Sequence, residues 1–281
     1  MSLLFSGRWI VQVEPTNRCN LNCEICIRSI LKRPLGDMKI EDFQRIIDIN
    51  RPLYVAFHGW GEPLLNDKIY EMIAYASKKR AKTSLITNGT LLNKRNAEIL
   101  LNLKLNELAF GVYKLERLKE IKDKIKLVSS LKQKFKLKDP KIFLDITIYE
   151  GNESEVPQII EEAAQLGVEA INIHRIFHLY NPEFKPLDTS KEKQLFQEII
   201  TLTKNYRMKL ILPKKHSYPC RIAKNCIFVT WDAKLTPCCF MPDNYLADAL
   251  KVSIKEVIKS REYKEFIRNM NSHPVCSRCV I

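Results

Sequence analysis

The chain has 281 residues, 46% of them hydrophobic, so it is long and apolar enough to bury a core of domain size. No apolar run approaches the roughly 18–20 residues that span a bilayer, and the N-terminal MSLLFSGRWIVQVEPT lacks the features of a secretion signal. We therefore expect a cytoplasmic protein with no membrane partner. The formal net charge of +14 leaves acidic partners and nucleic acid open.

Short β-branched segments alternate with helical patterns along most of the chain. The predicted strands are Arg8–Glu14, Leu53–His58, Lys82–Thr87, Glu107–Val112, Lys141–Tyr149 and Glu169–Ile176. The predicted helices are Met38–Ile49, Asp67–Lys79, Asn93–Leu103, Lys114–Lys138, Glu155–Gly167 and Ser190–Tyr206, and a short strand, Lys209–Leu212, follows the last of them. Six βα units in series predict an α/β fold with a parallel sheet, arranged as an open, partial (β/α)6 TIM-like barrel.

The composition changes near residue 213, and six of the nine cysteines lie beyond that point. The pattern there predicts a hairpin over Cys226–Cys239 and one helix over Ser253–Met270. So small a region cannot build a strong apolar core, and metal ligation would supply stability. We predict two domains, 1–212 and 213–281.

Three cysteines, Cys19, Cys23 and Cys26, lie within eight residues just after the first strand. A structural zinc site would need a fourth ligand, for which His58 is a candidate. Buried thiols fit less well, because the intervening residues are polar. Three thiolates suit a 4Fe–4S cluster that leaves one iron open, and this interpretation is favoured.

Other turns with unusual residues follow later strands. HGWGEPLL follows the second strand, TNGT the third and EGN the fifth. In parallel α/β barrels the chemistry gathers at the carboxyl ends of the strands. The sequence therefore predicts one functional rim that includes the cysteine loop.

The C-x3-C-x2-C spacing, with GWGEPLL and TNGTLL downstream, resembles the radical S-adenosylmethionine (SAM) superfamily. The resemblance implies that the open iron of the first cluster chelates SAM. One electron then cleaves the sulfonium, and the resulting 5′-deoxyadenosyl radical abstracts hydrogen from the substrate. The protein would therefore be an enzyme, a radical SAM oxidoreductase or a maturase.

The resemblance also assigns residues. It implies that Cys19, Cys23 and Cys26 ligate the cluster, with Glu62 as the partner of the SAM ammonium. The remaining residues implied to contact SAM are Ile25, Gly59, Gly61, Pro63, Thr87, Asn88 and Asn152. An ordinary turn is the alternative for Asn88 and Gly89.

Two positions depart from the family pattern. Ile25 stands where an aromatic residue often packs near the adenine, so it offers only an aliphatic contact. Tyr113 is the nearest polar group after the fourth strand, where a Ser/Asp turn is frequent. The candidates for substrate contact or catalysis are Tyr113, His174, Arg175 and His178. Strand alternation places His174 and Arg175 on opposite faces.

The C-terminal pattern, FVTWDAKLTPC followed by HPVCSRC, resembles the SPASM and Twitch extensions of the same superfamily. The resemblance implies a Twitch-like extension with one auxiliary 4Fe–4S cluster, since the middle cysteines of a full SPASM domain are missing. Its predicted ligands are Cys220, Cys238, Cys276 and Cys279. Cys226 and Cys239 are interpreted as small buried hydrophobes, and a zinc knuckle is the alternative for the whole set.

Four thiolates would close the auxiliary cluster, so it could accept an electron and make the net reaction an oxidation. Three functional hypotheses follow: an oxidative radical SAM enzyme, a maturase acting on a peptide or protein, and a non-catalytic zinc protein that binds nucleic acid, which is not favoured. The substrate is a small molecule or a peptide. The expected electron donor is an acidic flavodoxin or ferredoxin, docked on a basic surface that includes Lys132, Lys134 and Lys136.

Overall fold

The computed structural model describes residues 9–179 and 181–281. The chain divides into two compact units, one formed by residues up to 85 together with 216–279, the other by 86–215 with 280–281. Arg8, the first residue of the first predicted strand, lies outside the described residues. Among the described residues, no helix is both long enough and apolar enough to cross a membrane.

The first unit contains a mostly parallel sheet in the order β10-β9-β8-β1-β2-β3. Its strands are β1 Ile10–Val13, β2 Tyr54–Phe57, β3 Lys82–Thr87, β8 Cys226–Val229, β9 Lys234–Thr236 and β10 Ala247–Asp248. The end of β3, from Ile86, belongs to the second unit. Strand β8 pairs in parallel with β1, and β9 pairs antiparallel with β8. The predicted hairpin is therefore confirmed, and it extends the sheet beside the first strand.

Each helix described in the first unit buries at least one apolar or aromatic side chain. The helices are α1 Ile40–Asn50, α2 Ile69–Lys78, α7 Arg221–Asn225, α8 Ile254–Lys259 and α9 Arg261–Arg268. Helix α1 buries Phe43, Ile46 and Ile47 at the predicted helical spacing. Strand β10 and helix α7 have no counterpart among the predicted elements.

The prediction of one helix over Ser253–Met270 is wrong. The segment forms two helices, because Ser260 adopts an extended backbone (φ −62°, ψ 158°) and its hydroxyl accepts the N–H of Tyr263. A serine that caps a new helix competes with continuation of the old one. Ser253 caps the first of the two helices in a capping box with Glu256.

The second unit holds four parallel strands in the order β4-β5-β6-β7. They are β4 Glu107–Val112, β5 Lys141–Ile148, β6 Ala170–Arg175 and β7 Lys209–Ile211. The helices between and around them are α3 Lys94–Asn102, α4 Leu115–Lys134, α5 Val156–Gln165 and α6 Thr189–Asn205. Each strand and helix that the sequence predicts in this unit is present.

Helix α4 carries Lys132 and Lys134, two of the three lysines named in the predicted docking surface. Leu118, Ile121, Ile125 and Val128 are buried, at the spacing of one helix face. Lys132, however, is only 9% exposed and forms an ion pair with Glu169. The inclusion of Lys132 in an exposed docking surface is therefore wrong, because its ammonium is used inside the unit.

Candidate functional site

The loop that follows β1 is closed at its base by side-chain hydrogen bonds. Asn17 donates through Nδ2 to Pro34 O at 2.8 Å, and its Oδ1 accepts the Gly36 N–H at 2.8 Å. Thr16 donates through Oγ1 to Gly36 O at 3.0 Å. These bonds join the two ends of a loop that contains Cys19, Cys23 and Cys26, so side chains fix both ends of the loop.

The three thiols of this loop lie close enough to interact electrostatically with one another. The Cys26 N–H donates to Cys23 O at 3.1 Å, and Cys26 begins a short 3₁₀ helix. The Leu21 N–H points at the Cys19 sulfur, 3.4 Å away. Ile25 lies half-buried between these ligand candidates.

Partial burial raises the thiol pKa of both Cys19 and Cys26, because a buried thiolate loses its hydration. Within the described residues, no three His, Cys, Asp or Glu side chains are grouped to hold a single metal ion. A cationic iron–sulfur centre stabilises thiolates, so the donor set of this loop fits a cluster with three protein ligands.

The turn after β2 packs its backbone against the base of the cysteine loop. A Cβ at Gly61 would lie 2.3 Å from Thr16 O and 2.6 Å from Arg18 O. The Glu62 N–H donates to Arg18 O at 2.8 Å. Only glycine permits this approach, which holds the Gly61–Glu62–Pro63 turn next to the thiols.

Glu62 itself is 2% exposed. Its Oε1 accepts the Leu64 N–H at 3.1 Å and caps the short 3₁₀ helix Pro63–Leu65. Its carboxylate also lies close enough to Cys19 to act on the pKa of that thiol. The structure thus brings the predicted ammonium partner beside the predicted cluster ligands.

A buried ion pair that the sequence analysis missed lies behind this turn. Glu14 is 0% exposed and accepts two hydrogen bonds from Arg33, at 2.7 and 2.8 Å. The backbone N–H groups of Trp60 and Trp231 point at the same carboxylate, at 3.2 and 3.3 Å. A Cβ at Gly59 would lie 2.5 Å from Glu14 Cγ, so Gly59 makes room for this pair.

Asn66 is a second residue that the sequence analysis missed. It is buried, and its Nδ2 donates to Pro15 O at 2.7 Å and to Met38 O at 3.0 Å. Its Oδ1 accepts the Lys68 N–H at 2.8 Å. Asn66 therefore ties the end of the turn to both ends of the cysteine loop. In the sequence, an asparagine just before helix α2 looks like an ordinary helix cap. Nothing in the local pattern therefore predicts its hydrogen bonds to Pro15 and Met38.

The C-terminal cysteines gather around a small apolar cluster. Cys276 is buried with Ala223, Met241 and Met270, and Cys220 and Cys238 pack against this group. The Cys276 thiol interacts electrostatically with Cys238, Cys279 and Cys220, and burial raises its pKa to about 12. The four predicted auxiliary ligands are thus neighbours, drawn from three separate segments of the chain. Their donor chemistry fits an iron–sulfur centre.

The two remaining cysteines border this group. Burial raises the pKa of Cys226 to about 12, and Cys226 lies near Cys238. Cys239 lies within hydrogen-bonding reach of the Cys238 thiol, and this contact and burial raise the pKa of Cys238. The interpretation of Cys226 and Cys239 as small hydrophobes stays a prediction.

Four predicted SAM and substrate residues lie in turns of the second unit. Thr87 Oγ1 accepts the Gly89 N–H at 3.1 Å, and Asn88 Oδ1 accepts the Thr90 N–H at 3.0 Å, as in an ordinary turn. Asn152 is 1% exposed and donates to Tyr113 O and Thr147 O, each at 2.8 Å. The predicted contacts of Thr87, Asn88, Asn152 and Tyr113 with ligands remain predictions.

His174 belongs to a polar group on neighbouring strands β5 and β6. Asn172 Nδ2 donates to Asp145 Oδ1 at 3.0 Å and lies 2.9 Å from His174 Nε2. Burial disfavours the charged ring of His174, but the nearby Asp145 carboxylate, 3.6 Å from Nε2, outweighs it, so the pKa is raised above 6.5. Asp145 was not predicted, because the strand pattern does not distinguish it from core residues.

Arg175, the next residue along β6, has different partners. It forms a bidentate pair with Glu192 of α6, at 2.6 and 2.8 Å, and donates to Lys214 O at 2.9 Å. Arg175 therefore links the strand to α6 and to the segment beyond β7. His178 lies in the turn after β6, where its carbonyl accepts the Asn181 N–H at 3.1 Å.

Comparison with known families agrees with this geometry. The family model "Radical SAM superfamily" matches residues 13–173, and the model of the SPASM "Iron-sulfur cluster-binding domain" matches residues 220–280. The first match contains the cysteine loop and the Gly61–Glu62–Pro63 turn, and the second contains the C-terminal cysteines. The predicted domain boundary at 212/213 stays a prediction.

Two relatives match over most of the chain. A "Tungsten-containing aldehyde ferredoxin oxidoreductase cofactor-modifying protein" of Pyrococcus furiosus is 23% identical over 80% of this chain and 69% of its own length. The "Antilisterial bacteriocin subtilosin biosynthesis protein AlbA" of Bacillus subtilis is 24% identical over 83% of this chain. The alignment spans 55% of the length of AlbA.

A solved structure has the same fold. Streptococcus suis SuiB bound to its precursor peptide SuiA superposes with a TM-score of 0.78 at 15% identity. The superposition covers 93% of this chain and 66% of SuiB. The predicted α/β fold, a partial barrel with a C-terminal extension, is therefore confirmed. With three cysteines beside a Gly-Glu-Pro turn and a second cysteine set in its C-terminal region, the chain belongs to the radical SAM superfamily and carries a C-terminal SPASM domain.

Proposed function

We propose that the protein cleaves SAM reductively and uses the radical to oxidise a side chain of a peptide or protein substrate. The observation that carries this proposal is the set of three mutually interacting thiols next to the Gly61–Glu62 turn. When bound, the cluster and SAM would supply the electron and the 5′-deoxyadenosyl radical for hydrogen abstraction.

The residues of the first unit would bind and orient these groups. Cys19, Cys23 and Cys26 hold the cluster as thiolates. The backbone of Gly61, packed against the cysteine loop, would hold the methionine end of SAM beside the cluster. Glu62 accepts the ammonium of SAM through a carboxylate that is nearly excluded from water, which strengthens the charge-assisted hydrogen bond.

The second cysteine set supports an oxidation. Cys220, Cys238, Cys276 and Cys279 would supply four thiolates to one auxiliary 4Fe–4S cluster, so no iron stays open for the substrate. The buried, apolar surroundings of Cys276 exclude water from that site. In the second unit, His174 is held by Asn172 and Asp145 and is our candidate for the base that takes a proton from the substrate.

A peptide substrate is favoured by two relatives, since AlbA is named for bacteriocin biosynthesis and SuiB was solved with a precursor peptide. A small molecule is the second candidate, because the Pyrococcus furiosus relative is named a cofactor-modifying protein. The non-catalytic zinc hypothesis is not carried further, because the radical SAM model matches more than half of the chain. We still expect the electron donor to be an acidic flavodoxin or ferredoxin.

Anaerobic counting of iron and sulfide tests the cofactor proposal first. About eight irons per chain are expected for two clusters and about four for the first alone. Zinc without sulfide would contradict the proposed function. Incubation with candidate precursor peptides or with small molecules, followed by mass spectrometry, separates the two substrate classes by which of them loses hydrogen.

The Glu62→Ala variant tests the SAM contact. Loss of a charge-assisted hydrogen bond predicts about 10- to 100-fold weaker SAM binding, while the iron content stays unchanged. The matched control is Glu71→Ala, which removes an exposed carboxylate from helix α2 in the same unit. An unchanged SAM affinity in Glu62→Ala would remove the proposed role of Glu62.

A further inference from the structure

Trp60 lies within the Gly59–Pro63 turn and reaches the C-terminal cysteine segment with its side chain. Its indole Nε1–H donates to Cys239 O at 2.7 Å. Its ring packs edge-on against Phe240, with 5.7 Å between the ring centroids. One residue of the turn thus makes both a polar and an aromatic contact with the segment 238–241.

The backbone of Trp60 is anchored as firmly as its side chain. Its N–H points at Glu14, which is 0% exposed and is held by Arg33. The same carboxylate accepts the N–H of Trp231, in the turn between β8 and β9. The backbone from which the indole projects is therefore tied to a buried ion pair, and the hairpin that precedes Cys238 is held to the same carboxylate.

The segment that Trp60 contacts is itself compact. The Met241 N–H donates to Cys238 O at 3.0 Å, and Thr236 Oγ1 donates to the same oxygen at 3.2 Å. Met241 belongs to the apolar cluster around Cys276. A displacement of Cys239 O would therefore pass directly into the chain that bears Cys238.

We propose that Trp60 is a positioning residue. When SAM binds at the Gly61–Glu62–Pro63 turn, the indole of Trp60 transmits this binding to the segment 238–241 and makes that segment more ordered. Because the Gly61 backbone lies against the cysteine loop, a ligand at the turn fixes the backbone from which the indole projects. Coupling between two sites is reciprocal, so the state of the C-terminal cysteines also changes the affinity for SAM. This inference rests on the proposed function in one respect, that SAM binds at the Gly61–Glu62–Pro63 turn.

Hydrogen–deuterium exchange of the anaerobic holoprotein, with and without SAM, tests the coupling. SAM is expected to slow exchange in peptides that cover 59–64 and also in those that cover 238–241, where the Met241 amide is the reporter. In Trp60→Phe, which keeps an aromatic ring but lacks the N–H, protection of 59–64 should remain and protection of 238–241 should be lost. Trp9→Phe, the same change just before β1, should behave like the unmodified protein.

SAM affinity gives a second readout that a merely structural role would not produce. With Trp60 in place, loss of the auxiliary iron through Cys279→Ser should weaken SAM binding about 2- to 10-fold. This is the range that the net free energy of one hydrogen bond allows. In the Trp60→Phe background the same loss should change SAM affinity by less than about 2-fold. An equal change in both backgrounds would overturn the proposal.

The outcomes separate this inference from the proposed function. Protection of 59–64 by SAM without any change in 238–241 of the unmodified protein overturns the coupling and leaves the proposed function standing. Absence of SAM protection at 59–64 overturns both. Slower exchange in both segments that survives in Trp60→Phe shows that the coupling does not pass through the indole, and also overturns the proposal.

Discussion

The two cysteine sets of the first unit are built in different ways. Cys19, Cys23 and Cys26 come from eight consecutive residues, and their loop is closed by Asn17 and by the Gly61 turn. The C-terminal set comes from separate segments around the apolar cluster of Ala223, Met241 and Met270. The first set needs only its own loop to bring the thiols together, whereas the second requires the core around it to be folded.

The two sets therefore depend on different things: the first on the local geometry of its loop, and the second on tertiary packing. A loop of polar residues with thiols that remain partly exposed can release or exchange a ligand, as an open iron site requires. Cys276, in contrast, is buried with Met241 and Met270 and is shielded from water, as a closed centre requires. The comparison predicts that damage to the first set is confined to chemistry, while damage to the second also reduces stability.

The largest expected effect breaks the first set alone. Replacement of Cys19, Cys23 or Cys26 by Ala should abolish 5′-deoxyadenosine formation, because each thiolate is needed to hold the cluster. About four irons per chain should remain in the auxiliary centre, and the melting temperature should change little. Iron analysis and product assay under dithionite check both parts. Retained 5′-deoxyadenosine formation would contradict the ligand assignment.

The next largest effect concerns the ion pair between the two regions. Arg33→Met should reduce the free energy of unfolding by about 3–5 kcal/mol, because it leaves the buried Glu14 carboxylate without its cation. Arg18→Met removes an exposed partner of Asp37 and should cost no more than about 1 kcal/mol. Denaturant unfolding of the two variants measures the contrast, and similar losses would refute the importance of burial.

A smaller effect distinguishes the ligands of the second set from their neighbours. Cys276→Ala should lose the auxiliary iron and lower the melting temperature by at least about 2–4 °C, the shift expected per kcal/mol in a chain of this size. Cys226→Ala, which removes another thiol near Cys238, should keep the auxiliary iron. Iron loss in Cys226→Ala with retention in Cys276→Ala would exchange the roles of these two cysteines.

The smallest effect lies outside both cysteine sets and concerns His174 and its neighbour Asp145. The pKa of His174 is raised by Asp145, so the neutral ring needed for a base appears only above that raised pKa. In Asp145→Asn the rising limb of the pH–rate profile should move to lower pH, while both iron contents stay unchanged. Asp123→Asn, on the exposed side of α4, is the control, and an unmoved profile in Asp145→Asn would exclude His174 as the base.

Linkage fixes the sign of the matching stability effect. A group whose folded-state pKa is raised contributes stability below its unfolded pKa and loses it as the pH rises through the folded value. The pairing of His174 with Asp145 therefore stabilises the fold below about pH 6.5 and fades above the raised pKa. Asp145→Asn should flatten that dependence in denaturant unfolding measured across this range.

Sequence patterns predicted those features that depend on neighbouring residues. The bounds of β3 and β4 match the prediction residue for residue, and β3 ends directly before the turn residues Asn88 and Gly89. The cysteine loop and the Gly61–Glu62–Pro63 turn were also found, because their spacing is contained in short motifs. The helix break at Ser260 was not, since the apolar periodicity of the segment continues across it.

Contacts between distant residues could not be predicted. Glu14 meets Arg33 across 19 residues and Trp60 across 46, and Trp60 meets Cys239 across 179. Nothing in the local pattern of VQVEPT shows which cation pairs with its glutamate. Lys132 is a second example. A lysine in a Lys-rich helix is expected to face solvent, and its ion pair with Glu169 depends on a residue 37 positions away.

The Glu14–Arg33 pair also sets how the molecule responds to heat. Hydration of ions becomes less favourable as temperature rises, so the free-energy penalty for removing this pair from water falls. Hydrophobic stabilisation per unit area levels off over the same range. The contact that holds the SAM turn and the C-terminal hairpin to one carboxylate should therefore lose less strength on warming than the methionine-lined cluster around Cys276. As the protein approaches its melting temperature, the C-terminal cysteines should separate before the turn and the cysteine loop do.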